Sequence, residues 1–139
     1  MPEFTGISHI ELTVRDADRS ATWYEQVLGM RRVVEHAEHT TPGVSARVIN
    51  LIHPTAPLAL GLITHQAGDA AEFSEFRVGL DHLALTVDSR DELEKWIGHL
   101  DRMAVPHSTI SDMSYGSVLV LRDPDNIQLE LFVWSGVIG

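Results

Sequence analysis

Three residues of this chain belong to types that hold metal ions, and the pattern around each aims them alike. His9 precedes the alternation Ile10, Leu12, Val14, and His82 precedes Leu83, Leu85, Val87. Glu130 lies within Ile127, Leu129, Leu131, Val133. Strand side chains point alternately to opposite faces, so each of the three points away from its apolar neighbours. Two imidazoles and a carboxylate converging from three strands form a facial set. Such a set leaves about three positions of an octahedral ion for substrate and water, and it is typical of non-haem Fe(II). Taken singly, each residue has a plainer role: a satisfied strand histidine, or for Glu130 an ion pair with Arg122.

A duplication weighs against the plainer roles. "GISHIELTVRDADRSATW" from Gly6 aligns with "GLDHLALTVDSRDELEKW" from Gly79 at an offset of 73. Gly6/Gly79, His9/His82, Leu12/Leu85, Thr13/Thr86, Val14/Val87, Asp18/Asp91 and Trp23/Trp96 are identical, seven of 18 positions. Unrelated segments would share about one. The same histidine thus recurs at the same place in two copies of one module.

The elements that must position these residues follow the same repeat. Each copy opens with a strand and continues into a helix. The first helix runs from about Ala17 to Leu28, with Ala17, Ala21, Tyr24, Val27 and Leu28 as its apolar stripe and Gly29 as a C-terminal stop. The second begins at the capping-box pattern Ser89-Arg90-Asp91-Glu92 and carries Leu93, Trp96, Ile97 and Leu100. Trp23 and Trp96 read as packing anchors. Strands are expected at 31–35, 45–52 and 58–64 in the first copy and at 107–111, 117–121 and 127–134 in the second. The breaks between them are Pro42-Gly43, His53-Pro54 to Pro57, and Asp123-Pro124-Asp125-Asn126. Each module is therefore βαβββ. The expected fold is α+β, a single domain over 1–139 built from module 6–65, linker 66–78 and module 79–135. Paired modules predict an eight-stranded curved sheet with helices outside and a ligand site on the concave face.

The repeat also predicts a fourth ligand position. "PLALGLITH" aligned on "NIQLELFVW" puts Gly61 opposite Glu130. Glycine supplies no donor, so the pattern favours three ligands and an open corner. His65 shares the Gly61 face and is either a base near the site or a strand-end polar residue. His107 and Tyr115 border the late strands and are further candidates to meet substrate. Phe132 and Trp134 share the parity of Glu130 and are candidates to wall a pocket, with core or dimer packing as the alternative. His36, His39, His53 and His99 read as solvated.

Composition narrows the classes of partner. The chain has 139 residues, 20 acidic against 10 basic, and a formal charge of -10, which disfavours nonspecific nucleic-acid binding. It has no Cys, so disulfides and thiolate metal sites are excluded. No run approaches the roughly 18 apolar residues of a membrane span. "MPEFTGISH" shows neither a basic region nor a long apolar segment, so the expected location is the cytoplasm.

"SHIELTV…WYEQVLGM", "GLDHLALTV" and "RDPDNIQLELF" together resemble the vicinal oxygen chelate superfamily over nearly the whole chain. That superfamily includes glyoxalases, bleomycin-resistance proteins, type I extradiol dioxygenases and methylmalonyl-CoA epimerases. The resemblance implies that His9, His82 and Glu130 are metal ligands. It implies one divalent ion, Fe(II) first and Mn, Co, Ni or Zn otherwise, a small oxygenated substrate such as a catechol, and a homodimer. Gly61 stands where the four-ligand glyoxalases and epimerases carry Glu or Gln. Val120 stands where the dioxygenase signature carries Tyr. The implied activity is that of a metal enzyme, dioxygenase-like or lyase/isomerase-like. The alternative is an antibiotic- or small-molecule-binding module without catalysis.

Overall fold

The computed structural model describes residues 1–38 and 45–136. His39 and the Pro42-Gly43 break lie outside them. The chain forms two compact units, Met1–Ala71 and Glu72–Gly139. The boundary falls inside the expected linker.

The first unit runs β1 (Ile10–Thr13), α1 (Ala17–Leu28), β2 (Arg31–Glu38), β3 (Ser45–Ile52) and β4 (Ala59–His65). The second repeats it with β5 (Leu83–Thr86), α2 (Arg90–Arg102), β6 (Ser111–Met113), β7 (Gly116–Arg122) and β8 (Gln128–Trp134). The eight strands make two four-stranded sheets, ordered β1-β4-β3-β2 and β5-β8-β7-β6. Opening and closing strands pair in parallel in both, β1 with β4 and β5 with β8, and the rest is antiparallel. Each unit is thus the βαβββ module of an α+β fold.

The helices form where caps and stripes dictate. Asp16 caps α1 by accepting from Arg19 N–H, and Gly29 ends it in the left-handed region at φ 70°. Ala17, Ala21, Tyr24, Val27 and Leu28 are buried, as the stripe requires. They cover the sheet face that carries Leu12, Ile49, Leu51, Leu60 and Leu62, all nearly or fully buried. Each such leucine or isoleucine contributes roughly 1.5–3 kcal/mol of burial. Ser89 caps α2 through Glu92 N–H, while the Glu92 carboxylate pairs with Lys95. Leu93 and Leu100 of α2 are buried, and the helix packs on β7.

One strand departs from expectation. Residues 107–111 were expected to form the strand after α2, but β6 is Ser111–Met113, and His107 makes only an isolated bridge to Leu121. The cause is the tight Ser114-Tyr115 turn, which fixes the register at Met113 opposite Gly116 and starts the hairpin there.

β8 is launched by a well-bonded turn. The buried Asp123 Oδ1 accepts the N–H groups of Asp125 and Ile127, both at 2.8 Å. Asn126 takes the left-handed conformation, φ 65°, that the turn needs. These bonds fix the register in which Glu130 leaves the turn.

Candidate functional site

The helix-covered face of each sheet carries the leucines, so the other face carries the candidates. In the second unit, β8 presents Gln128, Glu130, Phe132 and Trp134 there, and β5 presents Ala84 opposite Glu130. His82 stands just before β5. Its Nε2 lies 3.4 Å from Glu130 Oε2. Its Nδ1 lies 2.7 Å from Asp81 Oδ1. An ionised carboxylate only accepts, so Nδ1 is the donor to Asp81, and Nε2 is the ring nitrogen that faces Glu130. At 3.4 Å this contact is longer than the about 2.7–2.9 Å of a charge-assisted bond. An imidazole nitrogen and a carboxylate oxygen side by side are donors of the kind a divalent cation takes.

Asp81 is itself held. Gln128 Nε2 donates to Asp81 Oδ1 at 3.2 Å, and Arg122 Nη2 donates to Gln128 Oε1 at 3.1 Å. Arg122 also makes two bonds to Glu75, at 2.9 and 3.1 Å. The Arg122 guanidinium holds the Glu75 carboxyl down at about 2, helped by a backbone bond. So Arg122 is engaged by Glu75, and the side chain that Glu130 meets is that of His82. The segment following Ala71 joins this network, and Phe73 N–H donates to the Asp125 carbonyl at 2.9 Å.

The first unit carries the matching histidine. Ser8 Oγ lies 3.1 Å from His9 Nδ1. Ser8 and Asp81 are 73 residues apart, the offset of the repeat. In both modules the residue before the histidine therefore engages Nδ1, the arrangement that fixes a ligand ring. Glu11 faces Gly61 across β1 and β4, and Asn50 faces Gly61 from β3. Ala46, Val48 and Ile63 form a small buried cluster on this same face. Among the described residues, no group of three or more His, Asp or Glu side chains is gathered as a metal site.

The other candidates fall in several places. Tyr115 stacks on Phe132 at 6.2 Å, and Phe132 contacts Trp134 at 4.5 Å. These rings form an aromatic wall beyond Glu130 on its own face. Phe132 is buried and Trp134 exposed. His107 is bonded to Asp101 of α2 at 2.9 Å and to the Ser108 carbonyl, and the Asp101 bond raises its pKa. It lines a hollow beside Arg90, Glu94 and Ile97. His65 ends β4 opposite Ala46. Sequence reasoning passed over Ser8, Asp81 and Gln128. The repeat column Ser8/Asp81 was the signal for the first two.

Repeated βαβββ modules with a His–Glu contact on the open sheet face define the class. Residues 6–131 match the model of the Glyoxalase/Bleomycin resistance protein/Dioxygenase superfamily, and the chain belongs to it. Its solved neighbours are of the vicinal oxygen chelate type. A glyoxylase/bleomycin resistance protein/dioxygenase domain from Frankia sp. EAN1pec is 31% identical with a TM-score of 0.79, over 95% of this chain and 99% of that one. The lactoylglutathione lyase of Agrobacterium tumefaciens shares the fold at 18% identity and TM-score 0.70, over 95% and 96% of the two chains. So does a mutant of the fosfomycin resistance protein FosX from Listeria monocytogenes, solved with Mn(II) and 1S,2S-dihydroxypropylphosphonic acid. It is 17% identical, with a TM-score of 0.69 over 96% and 95%. None of the curated proteins matches the chain significantly. Among the described residues, no helix is long and apolar enough to cross a membrane.

Proposed function

We propose that this chain is a divalent-metal enzyme acting on a small substrate with two neighbouring oxygens, and that His9, His82 and Glu130 hold the ion. One observation carries the reading. His82 Nε2 and Glu130 Oε2 stand 3.4 Å apart while Asp81 fixes the ring from behind. The repeat supports His9, because its ring is engaged at Nδ1 as that of His82 is. The bound ion supplies Lewis-acid polarisation of the chelated oxygens. The protein's part is to orient and enclose. Asp81 holds the His82 ring so that Nε2 faces Glu130. Phe132, Trp134 and Tyr115 offer an apolar wall to the substrate's carbon side. Three protein donors favour Fe(II), with Mn(II), Co(II), Ni(II) or Zn(II) as alternatives. The family's named activities make a lyase- or isomerase-type reaction and a dioxygenase-type reaction the candidates. We further propose a homodimer in the cytoplasm.

The test is metal analysis of protein purified without chelator or affinity tag, followed by titration with each of these ions. About one equivalent per chain is expected. Protein that neither retains nor takes up any of the five would instead be a small-molecule-binding module.

A further inference from the structure

We propose that Gln128 is a positioning residue for His82: it holds Asp81 behind the ring, so that the neutral imidazole keeps its proton on Nδ1 and offers Nε2 on the Glu130 side. Its bearing on metal binding rests on the metal-enzyme reading above and deepens it. Asp81 and His82 lie in no regular element, and their side chains are 66% and 38% exposed. An exposed carboxylate–imidazole pair contributes little and does not hold one geometry by itself. Gln128 supplies the missing hold. Its Nε2 donates to Asp81 Oδ1 at 3.2 Å and reaches the Asp81 carbonyl at 3.5 Å. The amide thus grips both the side chain and the backbone of the residue before His82. Gln128 and Glu130 are two apart on β8 and share a face. One strand therefore carries the carboxylate that His82 meets and the amide that holds Asp81.

The amide works in only one sense. Arg122 stands opposite Gln128 across β7 and β8, and a guanidinium has no acceptor. Its Nη2 donates to Gln128 Oε1 at 3.1 Å, which turns the Nε2 hydrogens toward Asp81. Flipped, the amide would set its oxygen against the Asp81 carboxylate and its N–H groups against the guanidinium. Arg122 is aimed in turn by Glu75, through bonds of 2.9 and 3.1 Å, and by the Asn126 carbonyl at 3.1 Å. Donors and acceptors therefore alternate from Glu75 to His82. Arg122 gives to Glu75 and Gln128, and Gln128 and His82 both give to Asp81.

The fold does not require this device. On the alignment that sets Gly61 on Glu130, Ala59 stands for Gln128. Its partner across the strands is Ile52, where the second unit has Arg122. The first unit builds the same βαβββ module with an apolar pair at this place. In the second unit the polar pair is spent on the residue that touches the His82 ring.

The experiment reads the ring directly. In the full chain, freed of metal and isotope-labelled at histidine, a long-range proton–nitrogen NMR spectrum of the neutral ring reports which nitrogen carries the proton. His82→Ala assigns the signals, and His9 serves as the internal reference. The parent His82 should be in the Nδ1–H form. Gln128→Leu removes the amide, and Gln128→Glu keeps its shape and the Arg122 bond but sets a carboxylate against Asp81. Each should shift His82 toward the Nε2–H form and leave His9 as it was. Calorimetric titration should then find Mn(II) weaker by about three- to tenfold in both variants. An unchanged His82 ring, or a parent ring in the Nε2–H form, overturns the proposal. So does a shift of His9 together with His82, which would mean general loosening, or a ring shift that leaves the Mn(II) affinity of a binding-competent parent untouched. If the parent and His82→Ala do not differ toward Mn(II), the metal reading fails, and the ring spectrum alone decides whether Gln128 positions His82.

Discussion

His82 and Glu130 meet end to end, Nε2 to Oε2, at 3.4 Å, on residues brought together by the parallel pairing of β5 and β8. Neither has an apolar reason to be there. If they are ligands, losing either should cost more than losing a residue that only orients them. His9→Ala, His82→Ala and Glu130→Ala should each lower metal affinity by more than about 100-fold, with far-UV circular dichroism unchanged. Full metal occupancy in Glu130→Ala would remove the closing strand from the site.

Asp81 offers a graded version of that test. It accepts the His82 Nδ1–H and touches no ion itself in this reading. Asp81→Asn should weaken metal by roughly 10–100-fold, the usual range for an outer partner of a ligand histidine. The pair is largely exposed, so the melting temperature of the metal-free protein should hardly move. Competition against a coloured chelator reads the affinity directly, and an unchanged value would separate Asp81 from the site.

Metal removal should show in stability. An ion at 100 times its dissociation constant adds about 2.7 kcal/mol to a fold that binds it only when native. Melting temperature should therefore rise with added Mn(II) or Fe(II) and fall back with chelator. His82→Ala should melt at the same temperature with and without metal.

The Glu75–Arg122 bridge predicts a pH effect of defined sign. The folded pKa of Glu75, about 2, lies below its ordinary value of 4.5. A depressed carboxyl contributes stability above the unfolded pKa and loses it as pH falls toward the folded one. The loss belongs to the window from about 4.5 down to about 2. Urea midpoints of the parent should drop between pH 6 and pH 3 by more than those of Glu75→Gln, which cannot lose this bridge by protonation. Equal drops would mean that the bridge does not bear on stability.

Gly116 and Gly61 should respond differently to a side chain. A Cβ at Gly116 would stand 2.2 Å from the Val133 carbonyl oxygen and 2.8 Å from the Phe132 ring. Backbone cannot step aside as a side chain can, so Gly116→Ala should destabilise by about 1–3 kcal/mol or more. At Gly61 the obstacles are the Glu11 and Asn50 side chains, so Gly61→Ala should cost less. Denaturant unfolding of the two variants settles the order.

Much of this architecture is legible in the residues. The 73-residue offset gave the two βαβββ modules, and the stripe with Gly29 gave the bounds of α1. Alternation put His82 and Glu130 on one face, and the structure brings them into contact. β6 was misplaced because its bounds come from hairpin register rather than from the residues at 107–111. Asp81 was passed over because an acidic residue before a strand resembles any solvated loop residue until its hydrogen bond is seen.

β1 and β5 are short strands of four residues, each at the edge of its own sheet, and His9 and His82 sit just before them. Such strand ends open locally far more often than the molecule unfolds. An ion held by either histidine, as proposed, would be released when its strand end frays, so its residence time would follow that breathing as well as donor strength. Affinity and exchange rate then become separable properties. Lengthening the backbone pairing at β1 or β5 would slow metal exchange without altering a single donor atom.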